Sequence, residues 1–146
     1  MKDRFKFRVW DKRKNIYIKD FVFNFINKLP YITVEYFDNE YEYTHTFEED
    51  EIIIEQCTGL KDKNGKLIYE GDILRSEEYP FKREEDGTYN YAAEVCFDES
   101  MSGFFYWVFR TNTGVVGRSE GNTGTLDEYS WEVIGNIHEN KELLND

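Results

Sequence analysis

Lys2, Arg4, Lys6 and Arg8 alternate with Phe5, Phe7 and Val9, and side chains that change character every second residue belong on an extended strand with one wet and one dry face. The same beat returns along the chain. Phe21, Phe23 and Phe25 repeat it within 20–27, a stretch that also allows a short helix and that Pro30 closes. Ile32, Val34 and Tyr36 carry it next, and Tyr41-Glu42-Tyr43-Thr44-His45-Thr46-Phe47 carries it after a turn at Asp38-Asn39-Glu40. A chain written this way is mainly β.

Turn residues divide the strands. Asp11-Lys12-Arg13-Lys14-Asn15 separates the first strand from Ile16-Tyr17-Ile18 and predicts a hairpin. Glu48–Glu51 is an acidic loop before Ile52-Ile53-Ile54. Asn64-Gly65 between two β-like runs suits a two-residue type I′ turn, in which both residues take positive φ. Gly71 permits a second bend, with the Asp72 carboxylate free to accept backbone N–H groups there. Gly135, inside Val-Ile-Gly-Asn-Ile, marks a bulge or a tight corner. Tyr91–Phe97, Phe104–Arg110 and Tyr129–Ile137 read as further strands, the second as a central one buried on both faces. Two excursions interrupt them: 76–90, charged and exposed, and 111–127, a long Gly-rich loop. Leu143 and Leu144 would dock one helical turn at the end. Many short strands at even spacing point to a small barrel or sandwich. The chain is expected to be one domain, with an N-terminal β region over 1–50 and a barrel region over 51–146.

Composition supports a folded chain in spite of its charge. The 26 Tyr, Phe and Trp residues can each bury ~150–250 Å², which disordered chains lack the aromatics to do. No run reaches the ~20 apolar residues of a membrane span, and the start shows no signal-peptide pattern, so a cytoplasmic protein is expected. Cys57 and Cys96 read as free thiols. Together with His45 and His138 they lack the paired spacing of a zinc site. The net charge of −12 is uneven: residues 1–14 hold seven Lys and Arg against two Asp, a local +5, which leaves −17 elsewhere. That polarity can join copies head to tail or steer a partner, although a solvated strand face is the stronger reading.

Two blocks have a familiar look. Thr58-Gly59-Leu60-Lys61-Asp62-Lys63-Asn64-Gly65-Lys66-Leu67-Ile68-Tyr69-Glu70-Gly71-Asp72-Ile73-Leu74 and Glu132-Val133-Ile134-Gly135-Asn136-Ile137-His138-Glu139-Asn140, followed by Glu142-Leu143-Leu144, resemble the signature of the YopX family of phage and prophage proteins. Phe7-Arg8-Val9-Trp10-Asp11 resembles that family's start. Cys57 stands where the family more often has an aromatic residue, and Lys141 where it often has Pro. The resemblance implies an SH3-like β-barrel region, with additional N-terminal strands in this chain, in the cytoplasm of a phage-bearing bacterium. It implies no activity.

Chemistry finds no foothold. Phosphate-binding glycine loops, a nucleophile elbow and an H-E-x-x-H helix are all missing, and Glu48–Glu51 and Glu84–Asp86 lack the spacing of a calcium loop. No catalytic residue, cofactor or metal is expected, and the chain reads as a non-enzyme. Three functions remain. The first is a protein-interaction module that pairs with itself or a host protein, anchored by aromatics such as Tyr79, Phe81 or Tyr89. The second is nucleic-acid binding by the basic N-terminal face of Lys2, Arg4, Lys6 and Arg8, with Trp10 to stack on bases; the −17 elsewhere weighs against it. The third is acidic mimicry of DNA against a host protein. The glycines and acids at Asn64, Gly65, Gly71, Asp72 and Gly135 are read as structural turns.

Overall fold

The computed structural model describes residues 2–19, 21–24, 31–38, 41–48, 50–87, 91–110 and 118–143. Pro30, the residues 39–40 at the turn expected there, Tyr89 and Leu144 lie outside them. The described chain is mainly β, and it forms two compact units, Phe7–Glu55 and Met1–Lys6 with Gln56–Asp146. Among the described residues no helix is long and apolar enough to cross a membrane.

In the unit Phe7–Glu55, β1 (Phe7–Asp11) and β2 (Ile16–Ile18) form the expected hairpin, with Trp10 opposite Tyr17. Its turn is tied by Asp11, whose Oδ1 accepts the N–H groups of Arg13 at 2.8 Å and Lys14 at 3.2 Å. Within the ambiguous segment 20–27, whose residues 20 and 25–27 lie outside the described ones, Phe21–Asn24 is a strand, β3, antiparallel to β4 (Tyr31–Asp38), which pairs along its whole length with β5 (Tyr41–Glu48). The long strand β6 (Ile52–Lys61) begins here and lies beside β1. Val9, Phe47 and Ile52 form the core, with Ile18, Phe21 and Ile54 packed against it.

The first strand is shorter than its alternation suggests. Lys2–Phe5 is a 3₁₀ turn, and β1 starts at Phe7. Lys6 donates its backbone N–H to the Asp3 carbonyl at 3.0 Å, and its Nζ pairs with Asp3 Oδ1 at 2.8 Å. An extended chain would hold residues three apart at about 10 Å and on opposite faces. The local ion pair and turn bond therefore replace the strand.

The larger unit is built on a five-stranded antiparallel sheet in the order β11-β10-β9-β8-β12: β8 is Asp72–Ser76, β9 Tyr91–Asp98, β10 Gly103–Arg110, β11 Arg118–Thr125 and β12 Trp131–Asn136. Beside it, the second half of β6 pairs with β7 (Leu67–Tyr69). The middle place belongs to β9 rather than to Phe104–Arg110. Ala92, Ala93, Glu94 and Val95 are buried in succession, because two alanines let material close in on both faces. On one face Ile68, Leu74, Phe81, Ala93, Val95, Tyr106, Leu126 and Trp131 form the main core; on the other, Ile73 and Ala92 meet Ile134, Ile137 and Leu143. Leu143 ends a 3₁₀ turn at Lys141–Leu143, as expected of the tail.

The two excursions need correction. Residues 118–125, expected within a Gly-rich loop, are strand β11, and 111–117 lie outside the described residues. Gly124 stands opposite Tyr106, and a Cβ there would run into the phenol ring and the Glu128 carboxylate. Glycine here serves close approach. In 76–90, Phe81 is only 1% exposed and lies at the centre of the aromatic core, so the segment is pinned and not a free loop.

Gly135 produces the bulge. Val133 faces Leu74 and Gly135 faces Ile73, which leaves Ile134 as the extra residue. A Cβ on Gly135 would lie 2.5 Å from Asn140 Oδ1 and 2.9 Å from Asn140 Cβ. Gly135→Ala is therefore expected to destabilise the protein by about 1–3 kcal/mol through overpacking. In urea denaturation, adding Asn140→Ala should recover part of that loss. A neutral Gly135→Ala would show that the contact yields freely.

Candidate functional site

The two blocks that carry the resemblance meet at one side chain. Asp62 is buried at the end of β6, where Oδ1 accepts the N–H groups of Asn64 at 2.9 Å and Lys66 at 2.8 Å. Its Oδ2 accepts the N–H of Val133, 71 residues away, at 3.1 Å. Lys63 adds a backbone bond from its N–H to the Trp131 carbonyl at 2.8 Å. Further along, Ile137 N–H donates to the Gly71 carbonyl at 2.9 Å. The familiar residues thus sew β12 to the turns on either side of β7.

This stitching changes the expected turn. Gly65 has φ +82°, but Asn64 does not have positive φ, which excludes type I′. Gly65 N–H bonds the Asp62 carbonyl at 2.9 Å and Asp62 N–H bonds the Lys66 carbonyl at 2.8 Å. That is the longer hairpin loop in which a type I turn is followed by one left-handed glycine. The Asp62 side chain selects it by drawing Asn64 N–H inward as an Asx turn. Gly71 and Asp72 behave as read: Gly71 has φ +75°, and Asp72 Oδ2 accepts Tyr69 N–H at 2.8 Å.

Around Asp62 lies a charged cluster. Glu132 pairs with Lys63 at 3.0 Å and Arg75 at 2.6 Å, and Glu77 reaches the same two cations at 3.4 and 3.5 Å. Burial works against ionisation of Asp62, but the N–H groups of Val133, Lys66 and Asn64 outweigh it and hold the carboxyl below its ordinary range. The hydrogen bond from Lys63, opposed by burial and aided by Arg75, does the same for Glu132. Every acid in the cluster has a basic or N–H partner, so the arrangement fastens β12 to the β6–β7 turn.

Three of the seven N-terminal cations, Lys6, Arg8 and Arg13, are paired with acids of their own chain. Lys6 is paired with Asp3; Arg8 bonds buried Glu55 and lies 4.9 Å over the Tyr17 ring. Arg13 reaches Asp11 at 3.5 Å and Glu51 at 3.2 Å. Trp10 is 5% exposed and meets Tyr17 edge-on, which removes it as a stacking platform. The side chains of Lys2 and Arg4 lie outside the described residues.

Cys57 and Cys96 are thiols outside any disulfide, one buried on β6 and the other half-buried on β9, while His138 lies in the turn after β12 and the His45 side chain is not among the described ones. Among the described residues no group of three or more His, Cys, Asp and Glu could hold a metal ion. Of the aromatic anchors, Tyr79 is 80% exposed and Phe81 is buried.

One surface feature escaped the sequence reading. At the β9–β10 tip, Phe97 is 44% and Met101 53% exposed, and Phe97 meets the Phe104 ring edge-on at 5.2 Å. Asp98 Oδ1 braces the turn by accepting Ser100 N–H at 2.8 Å and Met101 N–H at 3.1 Å. Asp-Glu-Ser between two aromatic strands is the signal that would have located it.

A family model described as "YopX protein" matches residues 6–145. The crystal structure of protein EF1440 from Enterococcus faecalis is similar over 95% of this chain and 96% of that one, with 27% identity and a TM-score of 0.58. No curated protein matches.

A carboxylate held below its unfolded pKa contributes stability above that value and loses it as pH falls through the folded one. Asp62 and Glu132, from ordinary values of 3.8 and 4.5, should leave stability flat between about pH 7 and 5 and make it drop below about 4.5. Asp62→Asn should flatten part of that drop and cost about 1–3 kcal/mol at pH 7. Equal pH slopes for variant and parent would remove Asp62 from the linkage.

Proposed function

The chain belongs to the YopX family, and from that premise we propose that it is a non-catalytic protein-interaction module, phage- or prophage-encoded and at work in the bacterial cytoplasm. Its larger unit is read as an SH3-like barrel elaborated by the Phe7–Glu55 strands. The observation that carries the reading is the β9–β10 tip, where Phe97, Met101 and Phe104 offer an apolar surface on a turn already braced by Asp98. Preorganised apolar groups in water are the usual anchors of protein contacts, since little ordering cost remains on binding.

The partner in this reading is a second copy. An electrostatic, head-to-tail mode has less support, because Lys6, Arg8 and Arg13 are engaged with acids of their own chain. The same pairing, with the burial of Trp10, counts against nucleic-acid binding.

Salt decides the mode of association. Copies carrying −12 repel each other, and salt shortens that repulsion to about 10 Å at 0.1 M while leaving apolar contact intact. Light scattering coupled to size exclusion should show tighter self-association as NaCl rises from about 0.05 to 0.5 M, abolished by Phe97→Ser with Met101→Ser. Dissociation by salt would favour the head-to-tail mode, and a monomer throughout would defeat the self-pairing reading.

A further inference from the structure

The hairpin loop after β6 carries a chemistry of its own. Asn64-Gly65 is the only Asn-Gly step in the sequence. In such a step the Gly nitrogen can attack the Asn side-chain carbonyl and close a five-membered succinimide. The new carbon–nitrogen bond replaces the one to the side-chain nitrogen, which leaves as ammonia after taking up, through water, the proton of the Gly nitrogen. Water then opens the ring at either carbonyl, giving aspartate or an isoaspartyl linkage. Glycine favours the attack because no Cβ shields its nitrogen. Water is the only co-reactant.

The surroundings leave this step open to solvent. Asn64 and Gly65 are exposed, a Cβ at Gly65 would meet nothing within 4 Å, and the Asn64 carboxamide has no hydrogen-bond partner among the described residues. What opposes the reaction is the state of the attacking atom. Gly65 N–H donates to the Asp62 carbonyl at 2.9 Å, and Asp62 Oδ1 fixes the residues on either side by accepting Asn64 N–H at 2.9 Å and Lys66 N–H at 2.8 Å. The Gly nitrogen attacks only after losing its proton, and that proton is held in a hydrogen bond until the loop opens.

We infer that Asn64 is a self-modification site kept unreactive by the Asp62 hydrogen bonds, and that its conversion makes an opened loop permanent. An isoaspartyl linkage routes the main chain through Cβ and Cγ, so it adds one carbon to a loop closed by Asp62 N–H on the Lys66 carbonyl at 2.8 Å. The carboxylate it creates adds a negative charge two residues from Asp62. Both changes work against the side chain whose Oδ2 also holds Val133, so the tie to β12 is weakened with the loop.

Hydrogen exchange and mass spectrometry test this on the intact protein, with a synthetic peptide LKDKNGKLI, residues 60–68, as the open reference. Exchange of the Gly65 amide and conversion of Asn64 begin from the same deprotonated nitrogen. At neutral pH both should therefore be slowed relative to the peptide by the same factor, at least about tenfold and matching within about threefold. Asp62→Ala should speed the two together; if that variant does not fold, the ratios of parent to peptide decide alone. The isoaspartyl protein, separated by anion exchange, should unfold at lower urea than the parent. Conversion as fast as in the peptide would overturn the inference. So would a slowing that Gly65 exchange does not match, or an isoaspartyl protein with an unchanged urea midpoint.

Discussion

Burying a carboxylate costs several kcal/mol unless N–H groups or cations answer it, and Asp62 is answered across a large span of sequence. Two of its partners lie within the next four residues and the third is on β12. Closing the local turn leaves the second oxygen, Oδ2, to the Val133 N–H. Hairpin geometry and the placement of the last strand become one event. Lys63 reinforces it twice, through its backbone bond to Trp131 and its side-chain pair with Glu132. Two sequence blocks that look like independent motifs are the two halves of one clasp.

Legibility tracked the range of the forces involved. The hairpins, Gly71 with Asp72 and the bulge at Gly135 were readable, since each is set by neighbours a few residues away. Asn64-Gly65 misled because its dipeptide preference is overruled by Asp62, whose geometry answers to Val133. Lys2–Phe5 misled because one ion pair, Asp3 to Lys6, reshapes a stretch whose alternation says strand. Phe81 stands in charged company, and nothing local separates a pinned ring from an exposed one. Glycines and threonines at 118–125 look like loop until Tyr106 supplies a reason for Gly124 to be small.

Charge taught a similar lesson. The basic opening invites a reading as a binding face, yet Arg8 is committed to Glu55 within its own unit and Arg13 to Asp11 and Glu51. A residue count gives the total charge; it cannot say which charges are already answered. The net charge of −12 sets a repulsion that any self-contact must overcome.

The exposure of Phe97 and Met101 follows from topology more than from composition. β8 pairs with β9 at Ile73 and Leu74 against Glu94 and Ala93, whereas β9 and β10 pair from Tyr91 with Arg110 to Asp98 with Gly103. On the other side β11 pairs with β10 as far as Phe105 opposite Thr125, so the last two pairs of the β9–β10 ribbon, Phe104 with Phe97 and Gly103 with Asp98, run on past both neighbours. A two-stranded ribbon on its own is marginal in water, and this one holds its end with the Asp98 turn and the Phe97–Phe104 pair. Shorter strands would have closed the sheet with less apolar surface in solvent. The extra length lays Phe104 against the edge of the core, and Phe97, packed on it, carries the aromatic surface outward into solvent.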